Sequence, residues 1–342
     1  MFGRMMNNYY YGKSGKGDFR KEDMPENRWQ LFWDTLRTRL SSLCRLNLMY
    51  MLIWLPAMIV IAVNFMNTLN TMYLVQGAQD GTLKEAVEES AGQENAISFT
   101  DEEIAMMASQ QENLPAYMDS MILRTLLILI PCIAITGPFT AGVSYVTRNW
   151  ARDEHAFIWS DFKDAVKENW KQGLIVSAIT SVLPALIYVG WKFYGQMANT
   201  QVFMMVPQLL VLMIGIIWAI SVTYMHPMEV TYALKTKALF KNGIMLGIAR
   251  LPMSVGIRLL HTVPCLIGFV VCYFWNPVYG MLFLLAWYFL IGFGLSRFIT
   301  ASYTNSVFDK YINSKIEGAK INQGLRQDED DEEEETAEQT EN

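Results

Sequence analysis

The sequence predicts an all-α membrane protein with six transmembrane helices, and three observations support that prediction. Of its 342 residues, 52% are hydrophobic and the mean hydropathy is +0.17, whereas soluble domains have about 45–50% apolar residues. Several apolar runs reach the roughly 20 residues that cross a hydrocarbon layer about 30 Å thick. Lysine and arginine are concentrated in alternate connections, as they are in proteins that follow the positive-inside rule.

Six apolar runs define the predicted membrane domain. The spans are expected near residues 46–69, 121–146, 173–195, 202–225, 253–275 and 279–303. The fifth is the weakest because Arg258, His261 and Pro264 interrupt it. The predicted organisation is an N-terminal segment at 1–45, a membrane domain at 46–305 and a tail at 306–342.

The positions of the basic residues predict the orientation of the chain. Of the 27 Lys and Arg residues, 24 lie in segments expected on one side, namely 1–45, 148–172, 229–258 and the chain from Arg297 onward. Lys84, Arg124 and Lys192 are expected on the other side. Because positively charged loops remain in the cytoplasm, both termini are predicted inside the cell and residues 70–120 outside.

Two segments are strongly acidic. Residues 80–119 contain 10 acids and one base, and residues 328–342 contain 10 acids and no base. In the first, TLKE and TDEE match the capping-box pattern, which predicts two short helices with Thr82 and Thr100 as N-caps. Contact with a partner or cation and a plain solvated insertion remain open for this segment. The C-terminal run cannot bury apolar surface, so disorder is expected from residue 328.

The stretch GPFTAG, residues 137–142, interrupts the second apolar run. A proline within a membrane helix frees a backbone carbonyl that neighbouring groups must satisfy, and glycine and threonine allow helices to approach closely. The stretch therefore predicts either a broken helix that lines a cavity or a tight packing notch. The residues of this motif are Gly137, Pro138, Thr140, Ala141 and Gly142.

An amphipathic helix is predicted at residues 156–173. Its apolar residues recur at every fourth position, and a row of lysines follows the same spacing; the two rows are Ile158, Phe162, Val166 and Trp170, and Lys163, Lys167 and Lys171. Ser160 is expected as its N-cap. Such a helix either lies at the membrane interface or docks on a cytoplasmic partner. The predicted docking residues are Arg148, Asp161, Phe162, Asn169, Trp170 and Lys171.

The sequence gives no pattern of an enzyme, a metal site or a cofactor site. It has no HExxH, GxSxG or phosphate-binding loop, and its cations are spread over short loops, which argues against nucleic-acid binding. Two weak ionisable pairs remain: His226 with Glu229, and Arg258 with His261. The first pair is expected to be solvated at a span end, with metal binding or proton relay as the alternative. Arg258 is expected to extend towards the cytoplasmic interface.

The stretch GPFTAGVSYVTRNWARDE…WSDFKDAVKENWKQG resembles the signature of the YesL family, bacterial integral membrane proteins of unknown function. The matching positions are Gly137, Pro138, Thr140, Ala141, Tyr145, Arg148, Asp161, Phe162, Asn169 and Lys171. LNLMYMLIWLP (46–56) and VFDKYI (307–312) are similar to the family's first span and C-terminal end. The acidic segment at 70–120 and the acidic tail depart from the family pattern.

The resemblance implies a multi-pass protein of the bacterial plasma membrane with an accessory role in carbohydrate uptake or its sensing, because genes of this family often lie beside sugar-import systems. The expected partners are membrane lipids and either components of a sugar ABC transporter or a membrane sensor. A small-solute transporter with its site at the broken second span is the alternative. No catalytic residue is implied.

Overall fold

The structure is a computed structural model that describes residues 24–91 and 98–326. Within these ranges the chain is helical and has no β-strand, which confirms the all-α prediction. The tail from residue 328, predicted to be disordered, lies outside the described residues, as do residues 1–23 of the N-terminal segment.

The described residues form a succession of α-helices. They are α1 (Arg28–Asp80), α2 (Thr82–Ser90), α3 (Asp101–Ser109), α4 (Leu114–Ala134), α5 (Thr136–Trp150), α6 (Ser160–Ala198), α7 (Met205–Glu229), α8 (Thr236–Ala249), α9 (Leu251–Phe274), α10 (Pro277–Trp287) and α11 (Phe293–Tyr311). Short 3₁₀ turns lie at Gln110–Asn113, Val202–Met204 and Asn313–Lys315, and a π-helical turn, Tyr288–Gly292, joins α10 to α11.

Six helical segments in the described residues are long and apolar enough to cross a membrane. They are Arg28–Asp80, Asp101–Ala134, Ser160–Ala198, Val202–Glu229, Leu251–Phe274 and Pro277–Lys315. Each overlaps one of the six predicted spans, so the predicted number of candidate spans is confirmed by length and composition.

The second predicted span, 121–146, is divided between two helices. A turn at Ile135 separates α4 from α5. Pro138 has no backbone N–H to donate to the carbonyl of Ala134, four residues earlier, so the hydrogen-bond ladder cannot continue at this point. The second candidate span accordingly ends at Ala134.

Two other helices are longer than predicted. α1 begins at Arg28 and ends at Asp80, well beyond the expected span at 46–69. α6 begins at Ser160 and continues to Ala198, so the predicted amphipathic helix and the third span form one helix of 39 residues. The tryptophan and lysines of the amphipathic segment therefore occupy the first part of a membrane-type helix.

The acidic segment contains helices at both predicted places, but only one of the two predicted caps forms. At α3 the Glu103 amide donates to Thr100 Oγ1 (3.2 Å) and the Thr100 amide donates to Glu103 Oε2 (2.8 Å), a capping box. The predicted Thr82 cap was wrong, because Gly81 occupies the cap position with φ +87°. This turn directs Thr82 back to Asp80, whose Oδ1 accepts from the Thr82 hydroxyl (2.7 Å).

The chain divides into two compact units. Unit 1 contains the described residues of Met1–Ile53, Gly137–Val176 and Ile217–Asn342, and unit 2 contains those of Trp54–Thr136 and Ser177–Ile216. Long helices contribute to both units, since the boundaries fall inside α1, α6 and α7.

In unit 1, Asn47 of α1 binds the π-helical turn before α11. A π turn breaks the usual hydrogen-bond ladder. Asn47 Nδ2 donates to the carbonyls of Tyr288 (3.0 Å) and Phe289 (2.8 Å), and its Oδ1 accepts from the Gly294 amide (2.9 Å). Asn47 is fully buried, so these bonds satisfy backbone groups that have no water nearby.

Asp309 of α11 holds the other end of unit 1. It forms an ion pair with Arg28 at the start of α1, and its Oδ1 accepts from Asn313 Nδ2 (2.6 Å). Its Oδ2 also accepts from the Asn322 amide (3.1 Å), and Asn313 Oδ1 accepts from the Tyr232 hydroxyl (2.7 Å). Asp309 thus joins α1, α11 and the segment that follows α11. Burial raises the pKa of Tyr232, which bonds to Asn313, to about 12.

The apolar core of unit 1 lies between the second half of α7 and its neighbours. Every residue of 220–229 is buried. The core residues are Val176, Val222, Tyr224, Met225, Met228, Leu239, Val307 and Phe308. They come from α6, α7, α8 and α11, so this core fixes four helices of the unit together.

In unit 2, helices meet at glycine contacts and at a polar cluster around Asp119. Asp119 of α4 accepts from the Tyr188 hydroxyl and from Lys192 Nζ of α6, both at 2.7 Å. A Cβ at Gly190 of α6 would lie 3.2 Å from a methyl group of Val211 on α7. The helices therefore approach closely where glycine removes side-chain bulk.

Candidate functional site

The GPFTAG stretch forms the first two turns of α5. Thr136 opens the helix and Pro138 lies in its first turn, where a missing N–H leaves no helical bond unmade. Thr140 forms a 2.6 Å hydroxyl–hydroxyl hydrogen bond with Tyr50 of α1, and both side chains are buried. Ala141 is fully buried beside them. The chain is thus helical at GPFTAG itself, and the break lies just before it at Ile135.

Two glycines set the distance between α5 and α6. A Cβ at Gly142 would lie 2.7 Å from both the Phe162 ring and Val166 Cγ2. A Cβ at Gly173 would lie 2.7 Å from the Gly137 carbonyl oxygen. Contacts under 3 Å leave no room for a methyl group, so α5 and α6 pack at a distance that only glycine permits at these positions.

The expectation that Phe162 faces a partner was wrong. Phe162 is 5% exposed, and its ring stacks on that of Phe139 with centroids 6.4 Å apart. The predicted apolar face of the helix is therefore divided, because Phe162 and Ala165 pack inside unit 1 while Trp170 remains 48% exposed. Sequence periodicity could not separate these positions, since it does not reveal which neighbour covers a face.

Trp170 lies among the lysines of α6 in a surface that we call the Trp170 face. Its residues are Lys163, Lys167, Trp170 and Lys171. All four are exposed, and Lys171 Nζ lies 5.5 Å from the centroid of the Trp170 ring. The face therefore combines one large aromatic side chain with three positive charges.

The remaining predicted docking residues make local bonds. Asp161 accepts from the Phe157 amide (2.9 Å), and Asn169 Nδ2 donates to the Ala165 carbonyl (3.0 Å). Ser160 is the first residue of α6, and its hydroxyl bonds to Asp161 Oδ1 (3.1 Å) instead of capping the helix. Asp161 thus supports the start of α6, and Asn169 bonds to the backbone of its own helix.

Arg148, near the end of α5, is half-buried. Its Nη1 donates to Asn149 Oδ1 (3.2 Å), while its buried Nε makes no hydrogen bond. Its backbone carbonyl accepts from Asn305 Nδ2 of α11 (3.3 Å). Burial, with the nearby charge of Arg152, lowers the pKa of Arg148. Arg148 therefore belongs to the interior of unit 1.

The expectation that His226 and Glu229 are solvated was also wrong. Their exposed fractions are 3% and 4%, and His226 Nδ1 lies 2.7 Å from Glu229 Oε1. Glu229 Oε2 is buried without a hydrogen-bond partner. The core of unit 1 buries the last turn of α7. The pair is therefore enclosed, although the sequence predicted this helix end at the membrane interface.

A polar seam connects α7, α9 and α11 in unit 1. The Tyr224 hydroxyl bonds to that of Ser254 (2.6 Å) and to that of Tyr303 (2.9 Å). One turn before Ser254, Arg250 Nη1 donates to the Tyr311 hydroxyl (3.5 Å). These hydroxyl bonds were not predicted, because single Tyr and Ser residues in apolar runs give no pattern.

Arg258 and His261 continue this seam along α9, and Arg297 of α11 joins them. Arg297 is close enough to Arg258 and His261 to influence the charge of both side chains. Arg258 Nε and His261 Nε2 are buried without hydrogen-bond partners. The sequence analysis counted Arg297 only among the cytoplasmic cations. A cation within an apolar run such as LIGFGLSRFIT could have marked it as a candidate functional residue, because charges within membrane segments are costly.

The described residues contain no group of three His, Cys, Asp or Glu side chains arranged to hold a metal ion.

Most of the predicted site residues lie in three places: the α5–α6 packing seam, the exposed Trp170 face and the buried ionisable residues of α7, α9 and α11.

Comparison with known proteins gives one family match. Residues 116–191 match a family model described as "Protein of unknown function, DUF624", a stretch that runs from α4 through α5 into α6. The match does not give the YesL name. No curated protein matches the chain, and no solved structure matches it. Six candidate spans indicate a multi-pass membrane protein, and over residues 116–191 the chain is similar to a family of unknown function.

Proposed function

We propose that this chain is a membrane-embedded accessory protein whose Trp170 face binds a component of a carbohydrate-uptake system: a permease, its ATPase or a sensor. The observation that supports the proposal is the exposure of Trp170 among three lysines on a helix whose opposite face is packed. Exposed tryptophans are frequent hot spots of protein interfaces, and lysines around them steer an acidic partner.

The packing behind the face also favours a binding role. Gly142 and Phe162 hold α6 against α5 with no space between them. A surface on a rigid support loses little conformational entropy when it binds. The competing interpretation is that Trp170 and the lysines lie at the membrane interface and contact anionic lipid headgroups.

The proposal requires the Trp170 face to lie in the cytoplasm. The distribution of 24 of the 27 Lys and Arg residues supports that orientation. A reporter active only in the cytoplasm, fused after residue 326, should be active, and a membrane-impermeant reagent should label a cysteine placed at position 90 from outside. The opposite pattern would exclude a cytoplasmic partner at this face.

The carbohydrate part of the proposal depends on the resemblance of residues 137–171 to the YesL family. On the basis of this resemblance we propose that the protein lies in a bacterial plasma membrane, and we expect a growth phenotype on oligosaccharides. The resemblance predicts no catalytic activity.

Crosslinking in native membranes followed by affinity purification tests the docking surface. Trp170→Ala should reduce recovery of a transporter component or sensor and slow growth on oligosaccharides. Trp275→Ala is the matched control, because Trp275 is 75% exposed and lies at the end of α9. Equal recovery and growth for the two variants would contradict the proposal. Release of the Trp170→Ala variant from anionic vesicles, without loss of any protein partner, would assign the face to lipid.

A small-solute transporter is the second candidate, and the helix break at Ile135 favours it. Interrupted membrane helices are frequent at the binding sites of transporters. Liposomes that contain only this protein should then take up one of a panel of labelled oligosaccharides. Absence of flux across the panel would contradict this candidate and leave the accessory role unaffected.

A further inference from the structure

We propose that Arg258, His261 and Arg297 form a binding site for a phosphate-type oxyanion inside unit 1. The site lies on α9 and α11, away from the Trp170 face, so the inference goes beyond the proposed function and does not depend on it. The anion is the phosphate of a lipid headgroup or free phosphate, and the two share the chemistry that the site recognises.

The pairing of α9 with the α10–α11 segment brings the three residues together. The two segments run antiparallel: Cys265 Sγ lies 3.4 Å from the Tyr288 hydroxyl, and Arg250 bonds to Tyr311. Between these two contacts, the Tyr224 hydroxyl bonds to both Ser254 and Tyr303 and so joins the two segments. Arg258 lies three residues before His261, about 4.5 Å along the axis of α9, and thus faces the same part of α11. Arg297 therefore lies opposite both Arg258 and His261.

Hydroxyl bonds fix the level of the two arginines. Tyr224 bonds both Ser254 and Tyr303, so those two residues mark the same height on α9 and α11. With a rise of about 1.5 Å per residue, Arg258 lies about 6 Å beyond Ser254, and Arg297 lies about 9 Å beyond Tyr303 in the same direction. The two guanidinium groups thus lie at a similar height along α9 and α11, which agrees with the electrostatic effect of Arg297 on Arg258.

The charges of the site do not balance within the protein. Among the described residues, neither Arg258 nor Arg297 forms an ion pair with a carboxylate. Glu229 interacts with Arg297 at longer range, but its Oε1 is bound to His226. Two guanidinium charges and one carboxylate leave an excess positive charge in a candidate membrane span, where an unpaired charge is costly.

The unsatisfied donors indicate which ligand would supply the missing charge. Arg258 Nε and His261 Nε2 are both buried and lack hydrogen-bond partners, and all three side chains are only partly buried. Guanidinium groups bind phosphate oxygens with two parallel hydrogen bonds. A phosphate between α9 and α11 would accept from Arg258 Nε and neutralise the excess charge. His261 Nε2 would donate to a phosphate oxygen or accept from a phosphate hydroxyl, according to its tautomer. Basic sites between membrane helices bind lipid headgroups in the same manner.

The test measures phosphate binding to the full-length protein in detergent and in bilayers. One arm follows thermal unfolding during titration with inorganic phosphate at constant ionic strength. The other follows retention of phosphatidic acid by native mass spectrometry after purification from phosphatidylcholine bilayers that contain it. Binding in the first arm assigns the site to free phosphate, and binding in the second arm alone assigns it to a lipid headgroup.

Variants separate a binding role from a structural one. Arg258→Gln and Arg297→Gln should each weaken binding about tenfold or more, since each removes charge-assisted hydrogen bonds. Arg297→Lys should weaken it less, because lysine keeps the charge but loses the planar fork. His261→Asn, which keeps a polar side chain, provides a variant with little risk to folding. Arg124→Gln is the control, since Arg124 is an exposed cation of α4 in unit 2.

The outcomes are distinct for this proposal and for the docking proposal. Without ligand, the Arg258→Gln protein should be as stable as the parent or more stable, because an unpaired buried charge is removed. Trp170→Ala should bind phosphate like the parent. If neither phosphate nor phosphatidic acid binds the parent more tightly than it binds Arg258→Gln and His261→Asn, the proposal is wrong.

Discussion

Two asparagines on the same helix show how differently the two units are held together. Asn47, in the unit 1 part of α1, forms three hydrogen bonds with the π-helical turn and Gly294. Asn64, in the unit 2 part of α1, donates to the Val60 carbonyl of its own helix (2.8 Å). Both are buried, but only the first joins distant parts of the chain.

The same contrast holds for ion pairs. The Asp309–Arg28 pair of unit 1 is mostly buried, whereas the Asp119–Lys192 pair of unit 2 has side chains more than 40% exposed. Lipid gives no hydrophobic drive for helix association, so hydrogen bonds and close packing must determine which helices meet. Unit 1 uses both means and also contains the buried ionisable residues, which are costly in a membrane and mark candidate functional sites.

The largest effect on this contrast should come from the two asparagines. Asn47→Ala leaves backbone groups of the π turn unsatisfied, so we expect a loss of about 2–3 kcal/mol in the free energy of unfolding. Asn64→Ala removes only a bond within one helix and should cost less than about 0.5 kcal/mol. Thermal and denaturant unfolding in detergent, followed by circular dichroism, would measure both. Equal losses would refute the distinction between the units.

A smaller difference is expected between two helix-contact glycines. Gly173→Ala places a methyl group against the Gly137 backbone, which cannot move aside, and should cost about 2 kcal/mol. Gly190→Ala meets a methyl group of Val211, which can rotate, and should cost under about 1 kcal/mol. Gly256→Ala is the control, since nothing lies within 4 Å of its Cβ position. Because alanine favours a helix more than glycine does, Gly256→Ala should be neutral or stabilising. A loss for Gly256→Ala as large as that for Gly173→Ala would show that contact with the Gly137 backbone does not cause the loss.

The ion pairs should give the next effect. Asp309→Asn removes the charge that faces Arg28 but keeps an acceptor for Asn313, so we expect a loss of about 1 kcal/mol. Asp119→Asn should change stability little, because solvent screens the exposed partner Lys192. Unfolding at low and high salt would measure the stability of both variants. For each variant, the loss relative to the parent should be the same at low and at high salt. If Asp119→Asn lowered the stability more than Asp309→Asn, the expected contrast between the ion pairs of the two units would be reversed.

The smallest effect is a dependence on alkaline pH. Burial raises the pKa of Tyr232 to about 12, above its usual value near 10. The folded state therefore keeps a proton that the unfolded state loses, and this contribution to stability is complete below pH 10 and declines towards pH 12. Unfolding measured between pH 9 and pH 12 should show a shallower decline for Tyr232→Phe. Tyr73→Phe, an exposed position in unit 2, should follow the parent curve.

The sequence was sufficient for the elements that depend on local pattern. Runs of about 20 apolar residues require helices in lipid, and the six predicted runs all correspond to candidate spans. The capping box at Thr100 is equally local, since its partners are three residues apart. Thr82 failed as a cap because the left-handed turn at Gly81 competes for the same place.

The candidate sites were predicted less well, because burial depends on contacts between distant segments. The fourfold spacing identified Phe162 and Trp170 as one face, yet Gly142 and Phe139 cover the first and leave the second exposed. Arg297 lies opposite Arg258 only through the antiparallel pairing of α9 with the α10–α11 segment. The spacing of residues in the sequence does not reveal which of these segments pack together.

The sequence by itself determined that the chain is helical, how many segments can cross a membrane and where charge accumulates. These follow from composition and from periodicity over a few turns. The tertiary structure alone decided that Asn47 binds the π turn, that His226 and Glu229 are enclosed, and that Arg258, His261 and Arg297 meet. Those facts depend on which helices pack together, and in lipid that choice is made by hydrogen bonds and glycine contacts between residues far apart in the chain.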